Sequence, residues 1–450
     1  MRYLRRSYAT LSGLFYGWYL VGIASFMLML MSATVFQGVG TFFVALERNF
    51  GWNRTTLSGA FSLSRAEGAL LGPVEGFLVD RLGTRKMVVV GYLIMGLGFV
   101  FFSQIESVWQ FYVAYLTISL GSGIGGWIAF VTLINNWFAR RRALAMSVAV
   151  SGIQFGGFLV PMMAWGIENE GFRLTALVIG VILIVVALPA SQFVRNRPED
   201  IGTGPDGDRI PRPRATPPAS STTSAASAET EARQSTVSQD ESAQAESADA
   251  NEMTPRQALK TLAFWVIAVA RLTSVVSIVS LSVHLVPKLT DSGISLITAN
   301  FVVTLYTTVA LFSGFVAGYL ADRTSKVAVL FVCMLMQAFA MAILTFTDTL
   351  PMAWAFAVLW GAGFGGRVPL LTAIIGDFFG RKNFGSILGL NMVPSNIAMI
   401  IAPFMAGLIF DLRQSYFIPF LTFTVMAFIG AFVILLARMP GQASAASDVR

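Results

Sequence analysis

The residues of this chain that could do chemistry are few, and most lie inside long apolar runs. Arg65, Glu67 and Glu75 fall within one such run, Arg271 within a second and Arg367 within a third. An ionised side chain near the middle of a membrane-spanning helix costs at least about 2.5–3.5 kcal/mol on insertion scales, so each of these groups needs a partner. That partner is a carboxylate of the protein, a set of helix-end carbonyls, or a bound anion. Glu67 stands two positions from Arg65, which points the two side chains to different sides of a helix. It either pairs with another helix or carries a proton that burial helps it to hold. His284 is the only histidine and Cys333 the only cysteine, so the sequence holds no intrachain disulfide, no histidine metal set and no catalytic dyad. The strings Gly121–Gly126 and Gly361–Gly366 have glycine at every second position, but no strand precedes them, so they are not a dinucleotide fingerprint. Small residues along a membrane helix instead let backbones approach. No phosphate-binding loop with a Gly-Lys-Ser/Thr ending is present, which argues against ATP-driven work by this chain. The sequence reads as a non-enzyme with no cofactor.

These residues have to be positioned by membrane helices. Hydrophobic residues make up 55% of the 450 and charged residues only 12%, about half the usual charged share. Runs of roughly 20 or more apolar residues each are long enough to cross a ~30 Å hydrocarbon core. Helices are expected near 17–46, 56–79, 87–106, 109–136, 142–167 and 172–193, then 260–288, 297–320, 326–348, 352–379, 384–409 and 415–437. On this layout 23 of the 31 Lys and Arg residues fall on one side of the membrane, 5 on the other and 3 within it. That is the positive-inside bias, and it explains the net charge of +7 without a nucleic-acid partner. It places both termini in the cytoplasm of a multi-pass protein of the inner or plasma membrane. Residues 196–254, rich in Ala, Ser, Thr, Glu and Gln, lack aromatic residues and read as a disordered cytoplasmic linker. The expected divisions are therefore 1–195, 196–254, 255–438 and a tail at 439–450.

The two halves repeat each other. Gly76-Phe-Leu-Val-Asp-Arg-Leu-Gly-Thr-Arg-Lys86 returns as Gly318-Tyr-Leu-Ala-Asp-Arg-Thr-Ser-Lys326, each a charged turn between apolar runs. Gly121–Trp127 matches Gly361–Arg367, and Trp137-Phe-Ala-Arg-Arg-Arg142 matches Phe378-Phe-Gly-Arg-Lys-Asn383. Three collinear matches at nearly one offset indicate a duplication. With this charged turn once per half, the chain resembles the major facilitator superfamily of transporters, built from two parallel six-helix repeats around a midplane site. Further stretches resemble its oxalate:formate antiporter and monocarboxylate porter families: Tyr16-Gly17-Trp18, Phe50-Gly-Trp-Asn-Arg54, Asn136-Trp-Phe138, Gly376-Asp-Phe-Phe-Gly-Arg-Lys382 and Arg197-Pro-Glu-Asp200. Those families often carry a basic residue in the eighth helix where this chain has Gly314, and some a lysine in the first or eleventh, absent here.

The resemblance implies an all-helical fold of twelve spanning helices and an alternating-access carrier of a small organic anion, with proton coupling or anion exchange. It also implies that the first, fourth, seventh and tenth helices line the cavity, which favours Arg271 and Arg367 for substrate. The repeat sets Trp127 opposite Arg367, and a cation beside an indole face could clamp an anion. Arg65, Tyr306 and Asn391 are the further candidates, Glu67 the candidate proton carrier, and buried structural ion pairs the competing role for each arginine. By the same resemblance Gly76, Asp80, Arg81, Gly83, Arg85, Lys86, Gly318, Asp322 and Arg323 serve conformational change. Glu75, beside the turn, would gate or pair with Arg140–Arg142. Two rivals stand: a proton-driven exporter of hydrophobic or cationic compounds, which cavity arginines would oppose, and a membrane sensor signalling through the linker.

Overall fold

In lipid every backbone N–H and C=O must be satisfied within the protein, and a helix does so within one segment. The computed structural model describes residues 15–138, 141–204, 206, 253–380 and 383–439, and among these it contains helices and turns but no strand. Helix α1 runs as Tyr16–Met31, a π-helical turn Ser32–Gln37, and Val39–Phe50. Next come α2 (Arg54–Leu82), α3 (Thr84–Phe102) and α4, which is Val108–Gly125 followed by Trp127–Trp137. Helix α5 begins as Arg142–Phe155 and continues into the segment Val160–Phe193. That segment breaks at Gly171 (φ 84°, ψ 161°), so residues 172–193 form a separate α6. The second half holds α7 (Leu262–Asp291), α8 (Leu296–Arg323), α9 (Lys326–Thr345), α10 (Leu350–Phe379), α11 (Phe384–Arg413) and α12 (Phe417–Val433).

Ten stretches among the described residues are long and apolar enough to cross a membrane. One of them, Leu144–Ala190, holds both α5 and α6, and α2 lies outside the ten because its charged residues dilute it. With those two additions the helices are the twelve expected. Most of the expected linker, 205 and 207–252, and the tail from 440 lie outside the described residues, as do Arg140, Arg381 and Lys382.

Within the first half α3 packs on α4 and α6, α1 on α5, and α2 on α4; in the second, α8 and α9 pack on α10, and α7 on α11 and α12. Between the halves α2 lies along α11, while α1 meets α7 and α8 meets α5. The glycine strings are packing surfaces. A Cβ on Gly91 would strike the Gly125 backbone, and one on Gly361 the Tyr306 carbonyl of α8. Gly91→Val is therefore expected to destabilise at the upper end of the roughly 1–3 kcal/mol usual for overpacking, because backbone cannot yield as a side chain can. Thermal unfolding in detergent checks this against Gly22→Val, whose Cβ would meet nothing within 4 Å.

Candidate functional site

Two of the arginines come together. Arg271 of α7 and Arg367 of α10 are 7% and 3% exposed, and Arg367 lies within reach of the Arg271 charge. Asn391 of α11 joins them. Its Oδ1 accepts from Arg271 Nε at 3.1 Å, and its Nδ2 donates to the Phe264 carbonyl at 3.0 Å. Arg271 Nη2 makes one long bond, 3.4 Å, to the Leu371 carbonyl of α10. Arg367 Nε has no hydrogen-bond partner, and its guanidinium carbon lies 5.9 Å from the Phe364 ring centroid. Among the described residues no carboxylate pairs with either arginine. Leu371, the Phe364 ring and the Cys333 thiol lie beside them, and Phe264, Leu371 and Cys333 belong to a buried hydrophobic cluster. Two like charges in such a place repel each other and lack the solvation that water would give, so an anion is the group that would balance them.

The other candidates stand elsewhere. Arg65, half-buried in α2, lies over Phe36 (4.9 Å) and Phe61 (4.6 Å), with Nε unpartnered and the Tyr115 hydroxyl nearby. Glu67 reaches Ser119 of α4, leaving Oε2 without a partner, and the buried Glu75 lies against Gly123 of the same helix. Tyr306 is half-buried in α8 with its carbonyl against Gly361 of α10. Trp127 is 46% exposed where α4 restarts after a break at Gly126 (φ −97°, ψ −121°), and no described contact joins it to Arg367.

At the basic end Gly83 takes φ 81°, a conformation that glycine adopts without strain, to turn α2 into α3. Asn196 caps the turn, its Oδ1 accepting from Arg85 N–H at 2.9 Å and from the Thr84 hydroxyl at 3.1 Å. Arg81 and Lys86 are exposed and Arg85 is partly so. Asp322 and Arg323 are exposed too, with Arg323 4.2 Å over the Tyr319 ring, and Gly318 has open space around it. Lys326 pairs with Asp377 at 2.7 Å within the second half. Gly76 lies within the last turns of α2, and the side chains of Asp80 and Arg142 lie outside what is described.

The opposite end carries a cluster that sequence reasoning missed. Arg54, the first residue of α2, donates through Nη1 and Nη2 to Asp291 at 2.6 and 2.8 Å, and through Nε to Glu47 at 3.1 Å. Its guanidinium sits 3.9 Å from the Phe410 ring centroid. Asp411 of α11 accepts the Arg54 and Thr55 N–H groups at 3.1 and 2.7 Å. One half thus caps the N-terminus of a helix in the other, where free N–H groups and the helix dipole favour a carboxylate. His284 Nε2 lies 2.9 Å from the Pro403 carbonyl, to which it donates, so Nδ1 accepts from the Tyr416 hydroxyl at 2.9 Å. Ser58 of α2 stands 3.3 Å from the same Nε2. The only sequence signal was Arg54 within the Phe50–Arg54 stretch; Asp291 and Asp411 stood in no motif.

Known proteins share this architecture. The family model described as Major Facilitator Superfamily matches residues 23–287 and 262–450. Monocarboxylate transporter 12 of Mus musculus is 24% identical over 427 residues, covering 90% of this chain and 82% of that protein. Monocarboxylate transporter 2 of Homo sapiens is 24% identical over 422 residues, covering 89% and 81%. The inward-facing, unoccupied crystal structure of a bacterial homologue of the human lysosomal transporter Spinster superposes with a TM-score of 0.67 at 15% identity, over 94% of this chain and 97% of that one. Twelve helices, a repeated charged turn and a family match over almost the whole chain lead to one conclusion: this protein belongs to the Major Facilitator Superfamily, as an integral multi-pass membrane transporter and not an enzyme.

Proposed function

We propose that the protein carries a small organic anion, a carboxylate, by alternating access, and that Arg271 and Arg367 bind its charge. The observation that carries this reading is the pair of buried guanidinium groups with no carboxylate partner among the described residues. A guanidinium matches a carboxylate with two parallel N–H···O bonds, and each such charge-assisted bond is stronger for being out of water. The anion relieves the repulsion between the two cations, so its binding is favoured by the same burial that makes the empty site costly. The relatives named as monocarboxylate transporters support the carboxylate class. Glu67, with one carboxyl oxygen unpartnered, is the group we assign to carry a coupled proton.

The basic end faces the cytoplasm on this reading, by the positive-inside bias of Arg81, Arg85, Lys86, Arg141 and Lys326. The Arg54 cluster then ties the two halves together at the outer end, as an inward-facing state of the carrier requires. Transport requires that cluster to break and the basic end to close in its turn. The test is uptake by proteoliposomes of labelled mono- and dicarboxylates, with and without an inward proton gradient. Saturable carboxylate uptake is expected. Its absence across the panel, with uptake of hydrophobic or cationic compounds instead, would refute the reading.

A further inference from the structure

The geometry points to Asn391 as a positioning residue that holds Arg271 for the anion without neutralising it. This rests on the reading of Arg271 and Arg367 as the anion site. Asn391 has one amide and two fixed partners on a single helix, α7. The Phe264 carbonyl can only accept, so the Asn391 amide must turn its nitrogen there, at 3.0 Å. That leaves Oδ1 facing Arg271 Nε, at 3.1 Å. Helix geometry makes the arrangement possible. Phe264 and Arg271 are seven residues apart on one face of α7, and a long helical side chain leans back toward the helix N-terminus. The Arg271 head therefore returns toward the level of Phe264, where one amide on α11 reaches both.

The consequence lies in what Asn391 is not. It is neutral, buried to 0% exposure, and the side chain that fixes the Nε edge of Arg271. Because Nε is committed, the guanidinium presents its Nη edge, of which one N–H goes to Leu371 at a long 3.4 Å. A carboxylate at position 391 would satisfy Nε equally well and cancel the charge. An amide orients the guanidinium and leaves its charge to be met by the cargo. Asn391 thus acts through Arg271 rather than on the anion, which revises its place among the substrate contacts expected from sequence.

A double-mutant cycle on the full chain in detergent tests this, with wild type, Arg271→Gln, Asn391→Asp and the double variant compared by thermal unfolding. Each is measured alone and with increasing pyruvate or succinate as the anion probe. The expected result has two parts. Asn391→Asp is tolerated several degrees better when Arg271 is present than in the Arg271→Gln background, because the introduced carboxylate pairs with it. Asn391→Asp also needs at least tenfold more pyruvate or succinate than wild type for the same stabilisation. A residue that merely packs would show no such coupling, and Asn391→Asp would then lower stability equally in both backgrounds. Zero coupling, or an undiminished anion response in Asn391→Asp, overturns the proposal. Coupling without any anion response in wild type would uphold the positioning of Arg271 and refute the anion-site reading instead.

Discussion

Arg367→Gln is expected to lower the kcat/KM of carboxylate uptake by about 10- to 150-fold and, at the same time, to raise the melting temperature of the unliganded protein. The first effect follows from the loss of a hydrogen-bonding charge, for which about 1.5–3 kcal/mol is usual. The second has a separate cause. Arg367 is 3% exposed, its Nε is unpartnered, and it shares its surroundings with the Arg271 charge. A buried charge with no carboxylate partner is costly to hold, and replacing it by a neutral side chain also relieves the repulsion from Arg271. A residue kept for folding alone would show the opposite pairing: less stability and uptake reduced only in proportion to folded protein. Proteoliposome uptake normalised to monodisperse protein, beside thermal unfolding of the same preparations, separates the two. Uptake like that of wild type would make Arg367 structural and remove the main support for the anion site.

Arg54→Gln is expected to open the end at which the halves are tied. Among the described residues Arg54 is the one cation paired with Glu47 and Asp291, and its side chain is 7% exposed while those two carboxylates are partly solvated. Removing it leaves carboxylates facing each other across the two halves. Breaking a fully buried pair costs about 3–5 kcal/mol, and partial solvation reduces this, so about 2 kcal/mol is a fair expectation. A bias of about 2 kcal/mol changes the ratio of two conformers roughly 30-fold. Spin labels at Glu106→Cys and Asp348→Cys, both exposed and one in each half at that end, report the separation, with Cys333 replaced by Ala. A longer distance population should appear in Arg54→Gln and be scarce in the parent. The same distance distribution in both would mean that Asp411 capping α2, with the Ser58 and His284 contacts, holds the end closed without Arg54.

The twelve helices were legible because hydrophobicity in lipid is a local property. A run of apolar residues must form a helix to satisfy its own backbone, whatever packs beside it. The repeat was legible too, since Gly76–Lys86 and Gly318–Lys326 are written twice in one chain. Boundaries shifted where helices are not uniform: α1 passes through a π-helical turn and reaches Phe50, and α4 breaks at Gly126. Asn196, placed at the start of the expected linker, caps the charged turn through bonds to Thr84 and Arg85.

The apolar runs alone mark Arg65, Arg271 and Arg367 as expensive at membrane depth, with Asn391 a further polar candidate in the eleventh helix. Which of them share a site is visible in the fold and not in the sequence, because spacing along a helix leaves its rotation free. That rotation is set by packing, such as glycine against backbone at Gly91–Gly125 and Gly361–Tyr306. Once set, it brings Arg271 and Asn391, 120 residues apart, to 3.1 Å, and leaves Arg65 in the other half between Phe36 and Phe61. The Arg54 cluster lay beyond sequence reasoning for the same reason. Its partners, Asp291 and Asp411, sit at helix ends that meet α2 only when the two halves close on each other.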